Sequence, residues 1–99
     1  MKFMFIYRGG DVPPEKTQEN VEHLWKWIGD LKSQGYETQG FAGYGRHTVT
    51  SEGVTDNSGD VFGISIIEAD SMEAALTLTK NWPELQYGGK IEVFESLSV

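Results

Sequence analysis

An α+β domain in which two β-α-β halves share one antiparallel sheet is the fold class this sequence predicts. Three observations carry that reading. Asp60 to Leu85, DVFGISIIEADSMEAALTLTKNWPEL, reads as a buried strand running straight into a capped helix. Lys2 to Arg8, KFMFIYR, reads as an earlier strand and is followed by a helix-period segment from Glu15 to Gln34. Lys90 to Glu95 supplies a closing strand, so strand, helix and strand recur in both halves.

The elements follow from local chemistry. In the first strand Phe3, Phe5 and Tyr7 alternate with Met4 and Ile6, which makes both of its faces apolar. Gly9-Gly10-Asp11 breaks it, and Pro13-Pro14 opens the long helix with Glu15 near the positive end of the helix dipole. Val21, Leu24, Ile28 and Leu31 form one apolar stripe, flanked by Trp25 and Trp27, and Gly35 is the expected stop signal. Tyr36 to Tyr44 is a weak, glycine-loosened strand, and Gly45 to Ser51 pairs with it as a short hairpin arm. Glu52 to Gly59 is expected to be a turn-forming loop. Val61, Phe62, Ile64, Ile66 and Ile67 are too short a run for a core helix and read as a strand. Asp70 offers an N-cap oxygen with Glu73 three residues on, as in a capping box, and Trp82-Pro83 ends the second helix.

The order β-α-β-(β)-β-α-β, with two helices on one face of an antiparallel sheet, is the ferredoxin-like βαββαβ arrangement. Two helices cover only one face. Whichever alternate set of side chains the first and third main strands turn outward is largely apolar, so the second face calls for cover. A homodimer packed sheet to sheet, of the dimeric α/β barrel type, resolves this.

Composition bounds the function. Residues 1–99 suit a single domain with one modest core. Eight scattered basic residues against a net charge of −7 argue against a nucleic-acid surface. Without cysteine there is no disulfide, thiolate metal site or cysteine nucleophile. The apolar run Phe3 to Tyr7 is too short for a signal peptide or membrane span, so a cytoplasmic protein without membrane contact is expected. No phosphate-cradling glycine pattern, metal-ligand spacing or serine-elbow motif is present, and no cofactor is expected.

Among polar residues, His23 is the first catalytic candidate, since imidazole titrates near neutrality and can abstract a proton beside a carbonyl or halide. It lies beyond the apolar stripe between Glu19 and Trp27, and a half-covered helix-flank histidine is its plainer role. Asp30 lies roughly 10 Å further along the helix, too far to orient it. His47 reads as an exposed loop histidine. Arg8, beside a glycine pair, can hold a carboxylate in a fork or form a structural salt bridge with Asp11 or Asp56. Asp56 is a base if buried and an Asx-turn residue otherwise. Tyr7, Trp25, Trp27, Phe41, Tyr44 and Trp82 either line an apolar pocket between helix and sheet or pack in the core and dimer interface. Tyr7, Trp27, Arg8 and Asp56 are the ligand-binding candidates.

The chain resembles the YCII-related proteins, and within them the DGPF-domain branch, nearly end to end. KFMFIYRGGD is similar to that branch's first strand and glycine turn, and WKWIGDLKSQG to the end of its first helix. Val54-Thr55-Asp56 falls where the namesake motif begins; IIEADSMEAALTLTKNWPEL and GGKIEVFE resemble its C-terminal half. The resemblance implies a ferredoxin-like protomer in a dimeric α/β barrel-type assembly. It also implies small-molecule chemistry by a His-Asp pair in some relatives, in the manner of a dehydrochlorinase or lactone isomerase, with His23 near the histidine's helix position. Two departures stand out. The motif reads Asp56-Asn57-Ser58-Gly59, without its Pro and Phe, and the loop after Gly35 carries only Glu37 where such relatives carry their Asp.

Two functions follow as expectations. The first is a small-molecule-binding protein, lyase- or isomerase-like, with His23 as general base on an apolar carboxylated compound. The alternative is a non-catalytic dimeric protein-interaction or regulatory module.

Overall fold

The computed structural model describes residues 1–56 and 59–97. Its elements run β1 (Lys2–Arg8), a 3₁₀ turn (Pro14–Lys16), α1 (Thr17–Ser33), β2 (Glu37–Ala42), β3 (His47–Thr50), β4 (Gly53–Asp56), β5 (Val61–Glu68), α2 (Met72–Leu78), a second 3₁₀ segment (Pro83–Tyr87) and β6 (Lys90–Glu95). β2, β5, β1 and β6 lie side by side in that order, every neighbouring pair antiparallel. With the β3–β4 pair set aside, this is the ferredoxin-like topology.

Register shows which residues face the helices. Phe5 lies opposite both Ser65 and Val93, and Phe3 opposite Ile67, so Phe3, Phe5, Tyr7, Ser65 and Ile67 share the helix-covered face. All are buried, together with Trp27, Leu31, Ala75 and Trp82. The alternate set, Met4, Ile6, Ile64, Ile66 and Phe94, lies on the other face, over which neither helix packs.

Two β-bulges depart from strict alternation. In a regular strand, residues three apart point to opposite faces. Between Glu37 and Gln39 the pairing with β5 slips by one, leaving Thr38 as the extra residue. The slip returns Glu37 to the face shared by Gly40. Between Tyr7 and Arg8 the pairing skips Phe62 and turns its ring toward Tyr7 and Trp82. Re-aiming one side chain is what such bulges do.

Several local expectations shift. The N-cap of α2 is Ser71, not Asp70: its backbone is extended and its hydroxyl accepts from the Ala74 amide at 3.0 Å. The helix therefore starts one residue later than a cap at Asp70 would give, and it ends at Leu78, ahead of Trp82-Pro83. The segment Glu52 to Gly59, expected as loop, contributes β4, and β3 pairs with β4 rather than with β2. The reason is local: Ser51-Glu52 makes the tight reversal, and threonines and valines flank it on both sides. Of the stretch Asp56 to Gly59, Asn57 and Ser58 lie outside the described residues.

On α1 the buried positions are Asn20, Trp27 and Leu31, with Leu24 and Ile28 half-buried. The helix is thus rolled away from the expected stripe, leaving Val21 and Trp25 exposed. Two polar anchors fix that roll. The Asn20 amide donates to buried Glu84 at 2.7 Å, and the Trp27 indole donates to Asn81 at 2.9 Å. Glu84 also accepts from the Gly10 amide, tying the turn after β1 to the second 3₁₀ segment. Gly35 ends the helix region with φ of +84°, a conformation that favours glycine.

Candidate functional site

Between α1 and the β2–β5 half of the sheet lies a hollow of about 580 Å³. It exists because the sheet beneath it is paved with small residues. Gly40 lies opposite Ser65 and Ala42 opposite Gly63, and all four border the hollow. At Gly63 the space is also used by backbone, since a Cβ there would sit 2.9 Å from the Phe41 carbonyl oxygen. Val21, Leu24, Trp25 and Ile28 of α1 form the roof, and the rings of Tyr7, Phe62 and Trp82 close one end. Those rings pack with centroids 5.5 to 6.3 Å apart, a rigid aromatic wall.

One polar strip crosses this apolar space. The Tyr7 hydroxyl donates to Ser65 Oγ at 2.7 Å, and Ser65 Oγ donates to Glu37 Oε2 at 2.5 Å. Ser65 is 1% exposed, so a hydroxyl there is tolerable only because it both accepts and donates. Burial raises the pKa of the Tyr7 phenol above its ordinary value; the Ser65 hydrogen bond opposes this and the nearby Glu37 charge adds to it. Tyr7 therefore keeps its proton, which directs the Ser65 hydrogen toward Glu37. The Glu37 carboxylate lies over Gly40, where an added Cβ would meet it at 3.0 to 3.2 Å. The strip thus presents one carboxylate to the hollow, backed by two ordered hydroxyls. Lys32 is the one cationic side chain bordering the hollow among the described residues.

The sequence-level candidates fall in different places. Tyr7, Trp25, Phe41 and Trp82 do come together around the hollow, whereas Trp27 and Tyr44 do not border it. Trp27 is buried toward Asn81, its ring edge-on to Tyr7. His23 is exposed and does not border the hollow. At 3.6 residues per turn, Val21, Trp25, Ile28 and Lys32 occupy one flank of α1 and His23 the opposite one. Arg8 binds Asp60 at 2.7 Å and Glu92 at 3.3 Å, neither Asp11 nor Asp56. The Arg8 guanidinium holds the Asp60 carboxyl below its usual range. Asp56 is exposed on β4 and pairs with His47 Nδ1 at 2.9 Å across the hairpin. No cluster of three or more His, Cys, Asp or Glu side chains suited to a metal occurs among the described residues.

With this geometry in view, comparison with known proteins is informative. The YCII-related domain profile matches residues 1–96. The chain belongs to the YCII-related domain family. No match was found among curated proteins. Among solved structures, the chain is similar to 5-chloro-2-hydroxyhydroquinone dehydrochlorinase from Burkholderia phenoliruptrix, in its complex with 2,5-dihydroxybenzoquinone. That similarity has a TM-score of 0.59 at 19% identity and covers 98% of this chain and 94% of the other, a shared fold. Within this YCII-related chain, Ser65 and Lys32 were not singled out from the sequence, and Glu37 was noted only as the acid standing where the resemblance puts an Asp. A polar Ser inside the otherwise non-polar run VFGISII was the available signal for the first. For Glu37 the face assignment depended on a bulge that strand alternation does not reveal. No helix of the described residues is long and apolar enough to cross a membrane.

Proposed function

We propose that this protein binds a small, flat, hydroxylated aromatic compound in the hollow between α1 and β2–β5, and that Glu37 is the group that takes its proton. The observation that carries this is the Tyr7–Ser65–Glu37 strip crossing an otherwise apolar space of about 580 Å³. Cavities of this size, apolar with a few convergent polar groups, are the usual form of small-molecule sites. An aromatic ring fits between the Trp25 side of α1 and the small-residue floor, with a ring hydroxyl directed to Glu37. An acidic substituent on the ring would meet Lys32, which also borders the hollow, the role first expected of Arg8. The similar dehydrochlorinase, whose structure is a complex with 2,5-dihydroxybenzoquinone, supports a flat, hydroxylated six-membered ring as the ligand. A carboxylate that removes a ring or side-chain proton, with a leaving group or double bond shifting in response, is lyase- or isomerase-like chemistry. The proton-accepting part earlier expected of His23 is proposed for Glu37, because Glu37 borders the hollow.

Titration calorimetry with 2,5-dihydroxybenzoquinone and with hydroxylated benzoic acids tests the reading. Saturable binding is expected, weakened about tenfold or more in Glu37→Gln, since a hydrogen bond to a charged group is worth about 1.5–3 kcal/mol. Binding by none of these compounds, or equal binding by Glu37→Gln, contradicts it.

The chain is also proposed to form a homodimer through its open sheet face. Met4, Ile6, Ile64, Ile66 and Phe94 lie together there, the first four half-buried and Phe94 exposed, and apolar side chains gathered on an uncovered face mark an interaction surface. Mass in solution at micromolar concentration tests this directly. This face is what the alternative of a protein-interaction module rests on, with a second copy as the partner.

A further inference from the structure

The β3–β4 hairpin stands apart from the rest of the fold. It forms its own two-stranded sheet, and Arg46 Nη1 ties its root to the Val61 carbonyl at 3.0 Å. Every residue of β4 is exposed, as are all but Thr48 in β3. Val49 and Val54, directly opposite each other, are 76% and 65% exposed. Tyr44 at its root is fully exposed. A hairpin with two four-residue strands is marginal in water unless something packs on it.

The dimensions of the molecule show the same excess of open surface. The radius of gyration is 14.6 Å, against about 13 Å for a compact domain of this length. The accessible surface is 6992 Å² for 11.1 kDa, against about 5,700 Å² expected of a folded monomer of that mass. The difference, roughly 1,300 Å², exceeds the ~800 Å² that each partner contributes to a standard stable interface.

We infer that the β3–β4 hairpin is a dimerisation arm, whose Val49–Val54 face lies on a second copy of this chain beside that copy's open sheet face. This rests on the homodimer proposed above and names the element that reaches across. A second copy is the occupant because one chain carries both unsatisfied surfaces. A twofold axis lets each copy's arm cover the other's apolar surface, since in such an interface the contact of one residue with another is made twice. The arm accounts for surface that face-to-face packing of the sheets alone leaves in water. It also covers the Val49–Val54 face, which is exposed in the single chain.

Val49→Asp/Val54→Asp is the direct test, because both side chains are exposed in the single chain and charging them leaves the protomer's core intact. Sedimentation equilibrium is expected to show a wild-type dimer and a double variant whose dimer Kd is raised at least about tenfold, with an unchanged circular dichroism spectrum. Hydrogen exchange on the unmodified protein gives a second readout: amides of residues 47–56 should be protected at high protein concentration and lose protection on dilution. A wild-type monomer would overturn both the dimer and the arm. A wild-type dimer whose affinity the double variant leaves unchanged, while Ile6→Asp dissociates it, would keep the sheet interface and overturn the arm. Rapid hairpin exchange in a wild-type dimer would overturn the arm equally.

Discussion

On the helix-covered face of one sheet, two adjacent patches are built in opposite ways. Around β1 and the end of β5 the positions are filled: Phe3, Phe5 and Ile67 are at most 1% exposed, and Tyr7, Trp27 and Trp82 interlock with them. A strand away, Gly40, Ala42, Gly63 and Ser65 leave the sheet bare under α1. The first patch holds the fold by burying apolar surface. The second gives up burial to keep a space open, and its one buried hydroxyl is matched donor for acceptor. The contrast separates residues that fill the core from residues that leave a hollow, although both lie on the same strands. Ser65 and Ile67 are two positions apart on β5 and belong to different patches.

The largest effect expected from breaking this contrast is in the filled patch. Phe5→Ala should cost about 3–5 kcal/mol of stability, as truncation of a buried aromatic does, measured by urea unfolding. A loss under about 1 kcal/mol would mean Phe5 is not in the core as described. At the boundary between the patches, Ser65→Ala leaves the buried Tyr7 hydroxyl without its partner, at a cost of about 1–3 kcal/mol. Ser65→Thr, which keeps a hydroxyl, should recover part of it.

Tyr7 also gives the comparison a pH signature. Its phenol is held protonated in the fold, chiefly by burial. Below about pH 10 the folded and unfolded states carry the same proton. Above that, the unfolded phenol ionises while the folded one does not, so the unfolded state binds fewer protons and stability falls as pH rises. The phenolate absorbance step that Tyr7→Phe removes should coincide with alkaline unfolding. Ionisation of Tyr7 ahead of unfolding would contradict its burial. The smallest stability effect belongs to the open patch: Ala42→Leu should change stability by no more than about 0.5 kcal/mol, as exposed substitutions usually do, yet fill the hollow and abolish ligand binding.

How much of this was readable from the residues alone follows the same division. The strands of the filled patch were legible, because both apolar runs sit where strands must, but which alternate set turns to the helices was not, since Phe3, Phe5 and Tyr7 alternate with the equally apolar Met4 and Ile6. The paired βαβ halves came from the same pattern. Less legible was anything set by irregular backbone. Glu37 shares a face with Gly40 only through the bulge at Thr38, and alternation alone puts them on opposite faces. The roll of α1 was hidden for a related reason: it is fixed by polar contacts from Asn20 to Glu84 and from Trp27 to Asn81, residues far away in the chain. An apolar count along the helix favours Val21 over Asn20 as a buried position. His23 and Arg8 drew attention because of their chemistry, but the fold places one on the far flank of α1 and engages the other with Asp60 and Glu92. The hairpin strand β4 was read as loop because glycine, asparagine and aspartate surround its short threonine-valine core.

The most direct test of the central claim is a calorimetric titration of a hydroxylated benzoic acid into the wild-type protein, Glu37→Gln and Ala42→Leu side by side. Saturable one-site binding to the wild type, about tenfold or more weaker in Glu37→Gln and absent in Ala42→Leu, is the predicted result. Binding that survives unchanged when the hollow is filled by Ala42→Leu would place the ligand elsewhere and contradict the account.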